Sequence, residues 1–465
     1  MINRRDVMKL GAVSLTVPMM RTERMLQVAA GQDAIPDWPM HGGNPERTRA
    51  MQGSGPRFDR PLVARWSWSG QYWSTPVIQN GVLYHAASEL SGLTSVDFLT
   101  GVEQWRVLEG QSILYQIAHG ETIFAAVDTH FLYALDSATG QERWRIRVDG
   151  LVSSSMVAVD ERLYCRTEYG GVLALGTRDG AEYWYFEERA DDYSSITFHD
   201  GSIYFGVGTG KFFALEANTG SERWQIPIAG NEPHTYTGIN SIVADGKLYI
   251  RDGEGGVHAL NPETGDSYWR TPVGESYALS SALNGRVFGS NEVHGACAFD
   301  AETGQQQWTF NTGMMMSVSG IFEDTVLVHG TAGWREMWRV HGVDATSGEE
   351  RWSFESPPRS YDPTVIGNHL MLHGLSGYVL GNETMATLRE DVILRGAPTP
   401  TGIQRGIAYE GDEIDEMGIR QTSDGLEWIE VTIGNATGWI MVDAIDPATL
   451  PSEGGSDHEF VFYPE

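Results

Sequence analysis

The sequence predicts an all-β protein: an eight-bladed β-propeller closed by strands from both ends of the repeat array, with a small barrel appended. Three observations carry this. Eight tryptophans, Trp66, Trp105, Trp144, Trp184, Trp224, Trp269, Trp308 and Trp352, recur at intervals of 39, 39, 40, 40, 45, 39 and 44 residues. Seven of them follow a glycine by four positions: Gly101, Gly140, Gly180, Gly220, Gly265, Gly304 and Gly348. Two turn signals separate successive tryptophans, and a period of about 40 residues suits one four-stranded blade.

In chain order, residues 1–30 come first. Asn3-Arg4-Arg5-Asp6-Val7-Met8-Lys9 precedes an apolar stretch from Leu10 to Met20. Paired arginines before a weakly apolar core read as a twin-arginine export signal, too short for a permanent membrane span. Cleavage is expected near Ala29-Ala30, and no cysteine follows to take a lipid. Residues 31–56 form a leader before the blades.

The blades occupy residues 57–383. In one of them, Ser194–Phe198 and Ser202–Val207 flank Asp200-Gly201, a hairpin signal because both residues of a type I′ turn need positive φ. Lys211–Leu215 is a third strand, Glu216–Gly220 a second turn, and Ser221–Ile226 a fourth strand that carries Trp224. The first hairpin recurs as Asn80-Gly81, His119-Gly120, Asp160-Glu161, Asp200-Gly201, Asp245-Gly246, Asn284-Gly285, Glu323-Asp324 and Gly367-Asn368. Hairpins therefore number eight, but complete second turns number seven. The last hairpin lacks a tryptophan strand, and Leu62–Trp68 is a tryptophan strand without a blade. Joining the two closes the eighth blade and removes an exposed edge. The tryptophans are read as blade-packing residues whose indole N–H finds a partner on the neighbouring blade.

The pattern Ala134-Leu135-Asp136-Ser137-Ala138-Thr139-Gly140-Gln141-Glu142-Arg143-Trp144 resembles the tryptophan-docking repeat of the pyrroloquinoline quinone (PQQ)-like propellers. The segments starting at Ala214, Ala259 and Ala298 come close to it, and Trp38–Thr48 resembles the leader of exported members. The resemblance implies the propeller fold. It also implies two functions, since the family holds both quinoprotein alcohol and sugar dehydrogenases and non-enzymatic scaffolds of the BamB kind. The large dehydrogenases carry a vicinal disulfide beside the cofactor, which the distant Cys165 and Cys297 cannot form. Their calcium or lanthanide site and catalytic aspartate match no motif here.

After Asn382 the pattern changes. Val392-Ile393-Leu394-Arg395, Trp428-Ile429-Glu430-Val431 and Gly438-Trp439-Ile440 resemble a bacterial SH3-like domain, assigned to residues 384–450. Short strands with turn signals suit a small barrel. Two roles stay open for it: binding cell-wall peptide or protein, and packing beside the propeller. Residues 451–465 are a tail.

Composition narrows the partners. The formal net charge is −30, which repels nucleic acid and anionic lipid. Lysine occurs only at positions 9, 211 and 247, a bias that fits either a salty habitat or skewed base composition. Thirteen histidines show no metal-ligand spacing, and no hydrolase or phosphate-loop motif occurs.

Ligands of propellers bind at the channel mouth, on the face made by the loops between blades (D–A) and within them (B–C). Candidates there are Tyr72, Trp73, Asp192, Tyr193, Glu232, His234, Tyr236, Tyr277, Met315, Trp334, Tyr361 and Asp362. The two long intervals place insertions at 230–236 and 332–337, on the same face. Aromatics with carboxylates suit a peptide, a sugar or a cation. The leading expectation is an exported, non-catalytic binding scaffold whose partner is a protein or a cell-wall polymer, with no cofactor. The alternatives are a PQQ- and calcium-dependent dehydrogenase and a wall-associated carbohydrate-binding protein.

Overall fold

Each of the eight repeats is a four-stranded antiparallel meander in the computed structural model of the chain. The structure describes residues 35–382 apart from 59–61, 70–74, 87–90, 153–155, 169–170, 189–193, 229–240, 253, 275–277, 292–294, 314, 332–337, 357–359 and 375. It also describes six strands between 392 and 462. The export signal lies outside the described residues, and no helix among them is long and apolar enough to cross a membrane. The chain divides into two compact units. One joins Ile35–Glu383 with Gly454–Glu465, and the other includes Thr384–Glu453.

Blades 1 to 7 span residues 77–107, 113–147, 157–186, 197–227, 241–272, 278–310 and 315–356. Blade 8 is built from Ser360–Ile366, His369–Gly374, Ser376–Asn382 and, as its fourth strand, Leu62–Ser69. The closing strand pairs antiparallel with Ser376–Asn382, from Leu62 opposite Asn382 to Ser69 opposite Ser376. The expected closure is therefore present. Its outer edge carries an addition that the sequence did not reveal: Val461–Phe462, from the tail, pairs with Val63 and Leu62.

The first hairpins form as the turn residues require. Asn80-Gly81, Asp200-Gly201, Asp245-Gly246 and Asn284-Gly285 all have positive φ at both positions. In blade 2 the turn sits one residue later than expected. His119 ends its strand opposite Thr122, and Gly120 is the residue with positive φ.

In all eight outer strands a β-bulge falls at the residue before the tryptophan. In blade 2, Trp144 lies opposite Ala134, but Glu142 lies opposite Leu135, so Arg143 is the extra residue. The same shift occurs in the closing strand, between Ala64 and Trp66. A bulge lets adjacent side chains serve two surfaces. Arg143 reaches back to Asp136 at 2.7 Å, and Arg351 to Asp344 at 2.6 Å. Where the turn opens instead with Gly176 or Asn261, the extra residue is Tyr183 or Tyr268. Arg162 then lies 4.4 Å over the first ring, and Lys247 5.7 Å over the second.

The tryptophan itself joins one blade to the next. Seven indole N–H groups donate to a backbone carbonyl in the second turn of the following blade, at 2.8–3.1 Å. The acceptors are Phe98, Ser137, Thr177, Ala217, Pro262, Ala301 and Ala345. The turn glycine lies under the ring: a Cβ on Gly140, at φ +70, would come 2.8 Å from Trp105. Trp352 is the eighth, and among the described residues blade 8 has no such turn to offer it. Phe58 takes that place, stacked on Trp352 with centroids 3.7 Å apart and planes 7° apart.

In the unit that includes Thr384–Glu453, five antiparallel strands lie in the order Gln404–Ala408, Val392–Arg395, Ala436–Met441, Leu426–Ile433, Glu416–Ser423. Trp428 and Trp439 are both buried.

Candidate functional site

The inner strand of every blade presents one edge to the central channel, and an unpaired edge calls for a partner. The leader supplies it. Two residues before its hairpin turn, each of six inner strands donates a backbone N–H to the leader. Ile78 donates to the Trp38 carbonyl, Ala118 to Pro39, Phe198 to Pro45, Val243 to Glu46, Ala282 to Thr48 and Ile321 to Arg49. In blade 8 the equivalent N–H, that of Val365, meets Met51 Sδ at 3.2 Å. Gly367 then exchanges bonds with Gln52 and Gly55. Met40 belongs to the hydrophobic cluster that holds Met156 and Ala158 of blade 3. Residues 38–55 thus visit the blades in order and form a collar at the hairpin end of the channel. The sequence marked this segment only as a leader.

Above the collar the inner wall carries polar contacts. Gln116 Nε2 donates to the Thr75 and Tyr84 carbonyls, each at 3.1 Å. The Thr197 hydroxyl donates to the Ser241 carbonyl at 2.8 Å. Ser319 Oγ lies 2.9 Å from His329 Nδ1. Blades 6, 7 and 8 each carry a bulge in the inner strand, at Leu279/Ser281, Val318/Gly320 and Tyr361/Thr364, and blade 2 carries one at Ile113/Tyr115. Bulges of this kind redirect side chains toward a cavity.

One buried ionic knot shapes the loop face. Asp252 accepts the Gly256 and Glu254 backbone N–H groups at 2.6 and 3.0 Å and the Arg270 Nε–H at 2.7 Å, with His258 Nε2 also at 2.7 Å. Burial pushes this carboxyl up, but Arg270, the Gly256 N–H and His258 together hold it below its ordinary value. The knot fixes the B–C turn of blade 5.

The expected ligand residues fall as follows. Met315 opens the inner strand Met315–Phe322 rather than lying in a loop, and Met316 beside it is buried. Tyr361 and Asp362 belong to the inner strand Ser360–Ile366, not to a loop. Tyr72, Trp73, Asp192, Tyr193, Glu232, His234, Tyr236, Tyr277 and Trp334 lie outside the described residues. Among the described residues no group of histidines, cysteines and carboxylates has the geometry of a metal site. Cys165 and Cys297 are buried thiols in blades 3 and 6, and burial pushes the Cys165 thiol up to about 12. They do not supply the adjacent disulfide of the large quinoproteins, so the residues present do not fit that feature of a PQQ site.

Blades joined by indole docking, with the repeat motif at each joint, define the class: a PQQ-like repeat propeller. The family model described as outer membrane protein assembly factor BamB (PQQ_2) matches residues 91–242 and 233–362, more than half of the chain, and the chain belongs to this family. None of the curated proteins matches it. Among solved structures, BamB from Moraxella catarrhalis is similar with a TM-score of 0.58 and 17% identity, over 69% of this chain and 99% of that one. The computationally designed Ika8 protein is similar with a TM-score of 0.56 and 13% identity, over 69% and 98%. A europium-containing methanol dehydrogenase gives 0.49 and 14%, over 85% and 89%. At these identities BamB and Ika8 speak for the fold alone.

Proposed function

We propose that the chain is an exported, non-catalytic scaffold that engages a protein partner through the loops of the D–A face. The observation that carries this is the collar. It occupies the hairpin end of the channel, so the loop face is the end left for recognition, and the sequence assigns both insertions to that face. Membership of a family described as an outer membrane assembly factor supports a protein partner and a site of action outside the cytoplasm. Export by the twin-arginine route, and an SH3-like role in wall or protein contact for residues 384–450, belong to the same reading. So does independence from PQQ and calcium.

Two measurements test it. A photo-crosslinking side chain at Tyr236 or Trp334 in living cells should give a discrete protein adduct, and the same group at Asn284, on the hairpin face, should not. Full-length protein incubated with PQQ and Ca²⁺ should show neither stoichiometric cofactor spectra nor dye reduction with alcohols or aldoses. Turnover there, or equal crosslinking from both faces, would sink the proposal.

A further inference from the structure

We propose that the outer strand of blade 3 is a stacking platform for a neutral polysaccharide, formed by Tyr183 and Tyr185. The strand Glu182–Phe186 sends alternate side chains to opposite faces. Trp184 and Phe186 turn toward blade 4. The Trp184 indole donates to the Ala217 carbonyl at 3.0 Å, and Phe186 packs edge-on against Phe205 and Phe213. Tyr183 and Tyr185 take the other face and are 49% and 46% exposed. Among the described residues four large apolar side chains are exposed, and these are two of them.

Both rings lie down over glycines. A Cβ on Gly171 would come 2.3 Å from the Tyr185 hydroxyl oxygen and 2.5 Å from the ring carbon that bears it. Gly176 stands opposite Arg162 in the sheet, and a Cβ there would come 3.6 Å from the Tyr183 ring. With no side chain at Gly176, Arg162 reaches across and sets its guanidinium carbon 4.4 Å from the Tyr183 ring centroid. Each tyrosine thus rests on the sheet and leaves about half its surface open. Residues two apart on a strand are about 7 Å apart, so the open rings suit a ligand of two or more repeating units.

The other blades supply the comparison. Of their seven residues before the tryptophan, six are Arg or Gln and one is Tyr268; the seven after it are Arg, Gln, Ser or Thr. Arg143 holds Asp136 of its own turn, and Arg351 holds Asp344. Blade 3 has Gly176 in place of that acid, so the contact of Tyr183 with Arg162 replaces the ion pair, as Tyr268 with Lys247 does in blade 5. That accounts for one tyrosine and not for the second. At the position of Tyr185, blade 5 keeps Arg270, bonded to Asp252. Tyr185 adds an open ring beside the first where the repeat asks for a polar residue, and paired exposed apolar surface marks a binding site.

The chemistry of the ligand follows. A pyranose carries C–H groups on flat faces and hydroxyls around its rim. The faces stack on aromatic rings, and the hydroxyls take donors and acceptors at the edge. Arg162, the exposed Glu182 and the Arg178–Glu161 ion pair at 2.8 Å offer both. Their charges cancel, and a chain of net charge −30 repels an acidic polymer, so the glycan is neutral. Rings that lie flat leave no cleft of the kind that grips a proline-rich peptide. The platform is separate from the D–A loops and from the partner proposed for them.

Titration calorimetry and saturation-transfer NMR on the full-length protein test this with cellohexaose and chitohexaose. Pentagalacturonic acid is the acidic control, and decaproline the peptide control. Saturable binding of at least one neutral hexaose is expected, and of neither control. Tyr185→Ala should weaken it about tenfold, whereas Tyr185→Phe, which keeps the ring, should bind like the parent. Tyr183→Gln combined with Tyr185→Gln installs a residue that other blades carry at these positions, as Gln104 and Gln225. That variant should keep the parent circular dichroism and lose binding. No saturable binding of either hexaose overturns the proposal, as does binding that survives in the double variant or a preference for pentagalacturonic acid or decaproline.

Discussion

Phe58 stands at the one joint of the propeller that the repeat does not build. Seven tryptophans seat on a glycine turn of the next blade, and Trp352 seats on Phe58 instead. Phe58 is half-buried. A fully buried aromatic removes ~200 Å² from water, so about half of that, ~100 Å², is at stake, worth ~2.5 kcal/mol at ~25 cal/mol per Å². A stacked pair adds ~0.5–1.5 kcal/mol. Phe58→Ala should therefore weaken the joint by ~3 kcal/mol, and Phe58→Leu, which keeps most of the area, by ~1 kcal/mol. A propeller opens blade by blade rather than all at once, so a single melting temperature is a poor reporter. Native-state hydrogen exchange resolves the joint. Amides of Leu62–Ser69 and Ser376–Asn382 should exchange ~100-fold faster in Phe58→Ala, since each ~1.4 kcal/mol is tenfold. Amides of blades 3 to 5 should be unchanged. Unaltered protection of the closing strand would refute the reasoning, and so would equal acceleration in every blade.

Other expectations follow from the same geometry. Gly140→Ala adds a left-handed alanine, ~1 kcal/mol, and overpacking of the Trp105 ring, ~1–3 kcal/mol, whereas Gly81→Ala meets nothing within 4 Å and should cost only the first part; thermal melting and Trp105 emission separate the two. Arg143 first, and Thr139 next, hold the Asp136 carboxyl down to about 2. That stabilisation is present above the ordinary carboxylate range and is lost as pH falls toward 2. Asp136→Asn should melt lower than the parent at neutral pH and alongside it near pH 2. Removal of residues 454–465 should speed exchange at Leu62 and Val63, where Val461–Phe462 pairs, and leave blades 2 to 6 alone; no change at those two amides would mean the tail strand contributes nothing.

The architecture was readable because the repeat is local chemistry. Asp-x-x-Thr-Gly-x-x-x-Trp encodes a turn, a bulge and a docking side chain within one short segment, and seven copies average out the exceptions. Counting turns against strands even revealed the closure, since an orphan strand at each end has one place to go. The site was far less legible. His41 and Arg49 make their contacts with Thr75 and Ser319, and the second of these lies 270 residues away. No spacing rule joins such positions. The inner-strand bulges leave no turn residue to mark them, which is why Met315, Tyr361 and Asp362 read as loop residues. The tail strand is two residues long, too short for any pattern to announce it.

The collar also sets a condition on how the molecule is made. Its first bond is to Ile78 and a late one is from Val365 to Met51, 314 residues apart. The leader leaves the ribosome first, yet its seat is finished only when the final blade exists. Contacts of such separation slow folding, because loop-closure entropy is lost before they form. A chain stopped anywhere before residue 365 is left with inner edges uncovered and a leader half placed. Addition of the last blade, rather than of any earlier one, is the event that allows the native state to form.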